Sequence, residues 1–192
     1  VSRKNIRSGL CSAVIVNSGN ANACTGKRGL ADARAAVRRT ARLLGVPERQ
    51  VLVCSTGKIG IPLPEGKILK ALPKAVRRLS SHNLRKCARA ILTTDNSVKI
   101  AKAEGRIGCK PYRLIGFAKG AGMIEPHMAT MLAFLVTDAQ IPRKILGSIL
   151  RPIVRETFNR ITVDGDTSTN DTVLLLANGL AGNPPLQAGS RE

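Results

Sequence analysis

The sequence predicts an α/β protein in which sheets are covered by helices, and three observations carry that expectation. Short, β-branched apolar runs such as Ala13-Val14-Ile15-Val16 and Val51-Leu52-Val53-Cys54 alternate with longer stretches whose apolar residues recur every three or four positions. Loops rich in glycine and asparagine separate them. A hydrophobic share of 43% in 192 residues is enough to bury a core, and alternation of this kind folds into layers.

Taken in order, residues 12–16 read as a buried strand, and an Asn/Gly-rich loop leads from it to a helix over 30–44. Leu30, Ala33, Val37, Ala41 and Leu44 form the stripe of that helix, and Gly45 and Pro47 stop it. Residues 51–54 are a second strand, running into Ser55-Thr56-Gly57. A helix is expected over 64–79, with Ile68, Leu69, Leu72, Val76 and Leu79 on one side and Pro73 interrupting it. A shorter helical piece over 84–90 leads to a strand over 90–94. Residues 112–118 and 131–137 are the next strands, on either side of a glycine turn. Pro142 suits the first turn of a helix with Ile145, Ile149 and Ile153 on one face and a kink at Pro152, and Asn170 or Asp171 caps a last helix through Leu176. No repeats occur, and the tail from Gly182 reads as a loop.

The formal charge of +19 attracts polyanions and invites a nucleic-acid reading. Much of it lies within 34–49 and 67–89, where the basic residues fall mainly off the apolar stripes. A solvated face is the expectation, because aromatic residues make up only 2% and no stacking motif is visible; a nucleic-acid-binding protein is the alternative from another class. No apolar run approaches the roughly 20 residues that span a bilayer, and no secretion signal is legible at the start. Cys11, Cys24, Cys54, Cys87 and Cys109 lack C-x-x-C spacing, so zinc and disulfide frameworks have no support. Reduced thiols, buried or incidental, favour the cytoplasm, or the mitochondrial matrix in a eukaryote. His82 and His127 have no partner spacing for metal, and Asp164-Gly165-Asp166 lacks the remaining ligands of a calcium loop.

The most informative stretch runs from Lys119 through Gly120-Ala121-Gly122-Met123-Ile124-Glu125-Pro126-His127-Met128-Ala129 to Thr130-Met131-Leu132. A glycine turn delivers a threonine to the start of an apolar strand, so Thr130 reads as a nucleophile. A threonine hydroxyl attacks poorly unaided. Where such a hydroxyl is used to break the peptide bond before it, the freed α-amine, of pKa near 7.7–8.0, can take the hydroxyl proton, so that the residue makes its own base.

That arrangement is similar to the self-cleavage site of the ornithine acetyltransferase family, also called bifunctional glutamate N-acetyltransferase. Four further blocks resemble the family in the same order: residues 16–26 (Val-Asn-Ser-Gly-Asn-Ala-Asn-Ala-Cys-Thr-Gly), Ser55-Thr56-Gly57-Lys58-Ile59-Gly60, Thr93-Thr94-Asp95, and 157–171, which contains Asp164-Gly165-Asp166-Thr167-Ser168-Thr169-Asn170-Asp171. Lys58, Asn96, Val98, Glu125 and His127 depart from the family's usual residues, while Thr130 and its nearest neighbours keep them.

The resemblance implies the layered, N-terminal-nucleophile-like fold of that family and a chain cut at Ala129-Thr130. Residues 1–129 would then belong to an α chain and 130–192 to the beginning of a β chain, with the family's further C-terminal region expected beyond. It implies acetyl transfer from N2-acetylornithine to glutamate through an acetyl-threonine, in arginine biosynthesis, with acetyl-CoA as a further substrate in some members. Thr56 and Gly57 match the oxyanion-stabilising pair. Lys119 matches a substrate-binding lysine and Thr93 a substrate-binding threonine, although adjacent Thr94 has similar chemistry. Neither metal nor bound organic cofactor is implied; the partners implied are the α and β chains of one precursor, assembled as an α2β2 heterotetramer. An inactive truncated relative is the remaining alternative.

Overall fold

The computed structural model describes residues 1–123, 131–166, 168–184 and 186. The chain forms two compact units, Val1–Thr93 and Thr94–Glu192.

In the first unit, α1 (Ser2–Asn5) precedes a parallel strand pair, β1 (Ala13–Asn20) and β2 (Val51–Lys58), joined by α2 (Gly26–Leu44). Parallel neighbours need such a crossover. Both strands run four residues past the apolar segments legible in the sequence. Their polar ends pair with each other: Asn17 lies opposite Ser55, whose hydroxyl donates to Asn17 Oδ1 at 2.7 Å. The chain start ties itself to β2, since the Ser2 hydroxyl donates to the Val53 carbonyl (2.7 Å) and accepts the Val53 N–H (2.8 Å).

The buried face of α2 is Gly29, Asp32, Ala33, Ala36, Val37, Thr40 and Ala41, a run of pairs spaced by three and four. Leu30, expected in the stripe, is 42% exposed. Small residues hold the face instead, and they let the helix lie close to its neighbours, β2 and the helix α3 (Glu65–Arg77). Val37 and Ala41 meet Val51 in the core, flanked by Ala13, Ile15, Val46 and Val53. Arg34, Arg38 and Arg42 stand in solvent, as a solvated basic face requires, and Gly45 ends the helix in the left-handed conformation (φ 66°).

Then come α3 (Glu65–Arg77), with Leu72 buried and Lys70, Lys74 and Arg77 exposed, and α4 (Leu84–Ala90). Leu79 falls beyond the end of α3 and is 67% exposed. The strand expected over 90–94 does not form. Ile91 stays in the right-handed helical region as the C-cap of α4, and the Leu92 N–H turns back to the Arg89 carbonyl, so no extended backbone is offered to a sheet.

The second unit is a four-stranded sheet in the order β3-β4-β5-β6: β3 (Lys99–Ile107), β4 (Lys110–Lys119), β5 (Leu132–Thr137) and β6 (Thr172–Ala177). Strands β3 and β4 form a two-residue hairpin in which Gly108 (φ 58°) takes the first turn position. Strand β3 is not foreshadowed by the sequence pattern. It is a mostly exposed edge carrying Lys99, Lys102, Glu104 and Arg106, charges of the kind that protect an edge from further pairing. Opposite Gly105 stands Tyr112, whose ring fills the space a Cβ would need.

Strand β5 lies antiparallel to β4, with Phe117 and Phe134 facing across the pair at 5.2 Å between ring centroids. It lies parallel to β6, the connection running through α5 (Arg143–Glu156). The segment 172–177, expected as a helix, is a strand. A short continuous apolar run fits either state, and here the free side of β5 supplies six register partners, from Leu132↔Thr172 to Thr137↔Ala177. The apolar face of α5 also differs from expectation: Leu146, Leu150 and Val154 are half-buried beside Ile145, while Ile149 and Ile153 are exposed.

Candidate active site

Thr56 and Gly57 lie near the end of the parallel ladder of the first unit, just before its last residue, Lys58. Thr56 is 1% exposed, and Gly57 takes φ 128°, a conformation open to glycine and strained for other residues. The loop after β1 is equally constrained. Asn22 (φ 56°) and Cys24 (φ 57°) are left-handed, the Thr25 hydroxyl donates to Asn22 Oδ1 (2.9 Å), and Asn22 Nδ2 donates to the Gly29 carbonyl (2.9 Å). This network accounts for much of the block at 16–26. Thr93 is exposed at the end of the first unit, in irregular backbone.

In the second unit, Lys119 ends β4 and is only 2% exposed. Burial pushes its ammonium below the usual lysine range. The carboxylates of Asp95 and Asp171 pull the other way, and the charge of Lys99 adds to the downward shift. Asp95 belongs to the Thr-Thr-Asp block. Its Oδ1 accepts the Gly120 N–H at 2.7 Å and the Lys99 ammonium at 2.6 Å. Burial alone would raise this carboxyl, but those two hydrogen bonds and the charges of Lys99 and Lys119 bring it below the ordinary carboxylate range.

Two more aspartates, both from the block at 157–171, take backbone N–H groups. Asp164 Oδ2 accepts from Met123 at 2.6 Å, and Asp171 Oδ1 accepts from Met131 at 2.8 Å. Burial raises the Asp171 carboxyl, opposed by the Met131 N–H, the Ser168 hydroxyl and the charge of Lys119. The second oxygens of Asp95 and Asp171 are buried and have no hydrogen-bond partner among the described residues. The glycine turn follows from the same contacts. Gly120 takes φ 152°, and Met123, not Gly122, is left-handed (φ 54°). Gly122 leaves room for a carboxylate, since a Cβ there would come within 3.2 Å of Asp164 Oδ2.

Ala129 and Thr130, the expected cleavage pair, lie outside the described residues. What is described is the chain on both sides: Gly120 and Met123 before them, Met131 after, each N–H held by a carboxylate. Sequence reasoning missed Asp95, Asp164 and Asp171 as site residues. Their signal is scarcity, because only 12 acidic residues stand against 31 basic ones and these three sit inside the blocks that resemble the family. Among the described residues no cysteine forms a disulfide; Cys54 is buried and Cys24, Cys87 and Cys109 are exposed. Among the described residues no cluster of three or more His, Cys, Asp or Glu side chains could hold a metal ion, and no helix is long and apolar enough to cross a membrane.

Residues 1–191 match the ArgJ family. The arginine biosynthesis bifunctional protein ArgJ of Geobacter sulfurreducens is 53% identical over 183 residues, 95% of this chain and 47% of that protein. The chain thus spans about half the length of the curated relatives it matches. Among solved structures, the arginine biosynthesis bifunctional protein ArgJ of Bacillus halodurans is similar with a TM-score of 0.61 and 38% identity, covering 68% of each chain. Ornithine acetyltransferase from Mycobacterium tuberculosis, solved in complex with ornithine, is similar with a TM-score of 0.55 and 33% identity, covering 65% of this chain and 67% of that one.

Proposed function

The chain belongs to the ArgJ family, and on that premise we propose that it is an acetyltransferase of arginine biosynthesis that matures by self-cleavage at Ala129-Thr130. The Thr130 hydroxyl attacks the Ala129 carbonyl carbon, the peptide C–N bond breaks, and the departing nitrogen takes the proton. Water then opens the ester, leaving a carboxylate on Ala129 and a free α-amine and hydroxyl on Thr130. The amine serves as base for the second chemistry. The Thr130 oxygen takes the acetyl group of N2-acetylornithine while its proton passes through the α-amine to the departing nitrogen, so that ornithine leaves as the neutral amine; the neutral amine of glutamate then attacks the acetyl carbonyl, and its proton returns to the Thr130 oxygen. Thr56 and Gly57 are assigned the oxyanion in both steps, and Lys119 and Thr93 the binding of substrate.

The single observation that carries this reading is the family match over residues 1–191, which includes the Ala129-Thr130 bond. It draws further support from the hydrogen bonds that fix the chain before and after that bond. The cycle uses no metal and no bound organic cofactor, and acetyl-CoA enters only as an acetyl donor in place of acetylornithine. Residues 1–129 contribute to an α chain and the residues from 130 open a β chain, which assemble as an α2β2 heterotetramer in the cytoplasm.

Mass spectrometry of the purified full-length protein tests the first step. Two fragments meeting at Ala129/Thr130 are expected, and a single uncut species from Thr130→Ala. Incubation with radiolabelled acetylornithine tests the second, label on the Thr130 side chain being the required result. A wild-type protein that remains whole and unlabelled would sink the proposal.

A further inference from the structure

Attack of a neighbouring hydroxyl on an unactivated peptide carbonyl depends on geometry, since the reacting atoms must be held about 3–3.5 Å apart and aligned. A freely moving segment spends little time in such an arrangement. The anchors of the chain around Ala129-Thr130 therefore matter to the rate, and they are distinct from the groups that carry the chemistry. Met123 and Met131 each give their backbone N–H to a carboxylate, and both carboxylates come from one short block, Asp164 and Asp171. Separations of 41 and 40 residues make both contacts tertiary.

The two anchors differ in character. At Met123 the backbone is left-handed, which a non-glycine residue rarely adopts, and glycine at 122 gives the Asp164 carboxylate the space to reach that N–H. At Met131 the nitrogen is bonded directly to the carbonyl carbon of Thr130, about 1.33 Å away. A carboxylate that accepts this N–H acts on the residue directly after the one that carries the nucleophile.

Resting on the reading that Thr130 breaks the Ala129-Thr130 bond, we propose that Asp164 and Asp171 are positioning residues for that self-cleavage, each acting as acceptor for a backbone N–H on one side of residues 124–130. Neither residue transfers a proton in this role. What they supply is a fixed entry and exit for the segment, and a neutral amide oxygen at the same place serves for most of the effect. Asp138 is the internal control. It accepts the Arg113 N–H at 2.7 Å, the same kind of bond in the same unit, at the far ends of β4 and β5.

The experiment follows maturation of the full-length precursor by pulse labelling and mass spectrometry, alongside thermal melting of each variant. Asp164→Ala and Asp171→Ala are expected to slow cleavage by about tenfold to a hundredfold. Asp164→Asn and Asp171→Asn, which keep an oxygen for the N–H, should recover most of the rate, and Asp138→Ala should mature like the wild type. Alanine variants that mature at the wild-type rate overturn the inference. So does a slowing that Asp138→Ala shares, or asparagine variants as slow as the alanine ones. If an alanine variant does not fold, its asparagine counterpart carries the test, near-wild-type cleavage supporting the inference and slow cleavage in a folded protein overturning it. An uncut wild-type precursor would instead overturn the reading of self-cleavage on which the inference rests.

Discussion

Gly57 lies opposite Gly19 across the parallel pair β1 and β2, so close that a Cβ on Gly57 would stand 2.3 Å from the Gly19 carbonyl carbon and 2.4 Å from its oxygen. These are backbone atoms, so no side chain can swing aside, and φ 128° adds strain for any other residue. Gly57→Ala is therefore expected to cost about 2 kcal/mol or more in chemical denaturation. A variant as stable as the wild type would show that the strands can part without loss.

Glycine in a helix interior normally weakens it by about 1 kcal/mol relative to alanine. Gly147 in α5 has nothing within 4 Å of where a Cβ would be, so Gly147→Ala should stabilise by about 0.5–1 kcal/mol. Gly29 in α2 reverses the sign. A Cβ there would stand 1.9 Å from Thr25 Oγ1 and 2.4 Å from Asn22 Oδ1, breaking the hydrogen bonds that hold the loop. Gly29→Ala should destabilise by about 1–2 kcal/mol despite the better helix propensity. Equal shifts from the two substitutions in urea titrations would refute the distinction.

Lys119 shares its buried surroundings with Asp95 and Asp171. Lys119→Met takes that cation away from both carboxylates and is expected to lower stability, with Asp95 still held by Lys99 at 2.6 Å. Combining it with Asp171→Asn removes one of the two carboxylate charges. The double variant is expected to be less destabilised than the two single losses added together, by about 1 kcal/mol or more in a double-mutant cycle. Strict additivity would mean that Lys119 and Asp171 do not interact.

The Asp95 carboxyl is held below the ordinary range, so its ionised form is favoured in the folded state. Its contribution to stability is fully present above the ordinary carboxylate pKa and is lost as pH falls through the lower, folded value. Below about pH 4, melting temperature in the wild type should fall more steeply than in Asp95→Asn, whose amide does not titrate. Parallel curves for the two proteins would remove Asp95 as a source of acid sensitivity.

Much of the fold is legible in the order of residues. Strands β1, β2, β4 and β5 can be read there because each is an apolar run between turn-forming residues, and α2 and α3 because small and aliphatic residues recur at helical spacing. The misreadings have identifiable causes. Strand β3 carries charges on an exposed edge and so has no alternating pattern, and 172–177 is apolar throughout, which suits helix and strand alike until the free side of β5 selects strand. Hydrophobicity alone places Leu30 and Leu79 in stripes, but Leu30 falls outside the face that α2 buries and Leu79 lies beyond the end of α3.

By itself the amino-acid order determined membership of the family, the identity of Thr130, Thr56, Gly57, Lys119 and Thr93 as candidates, and most of the periodic elements. These are local properties, carried by consecutive or regularly spaced residues. Only the tertiary structure decided that Asp95, Asp164 and Asp171 reach Gly120, Met123 and Met131, across 25, 41 and 40 residues. A side chain that satisfies a distant backbone N–H leaves no periodicity behind, and its partner is chosen by how the sheet brings chain ends together.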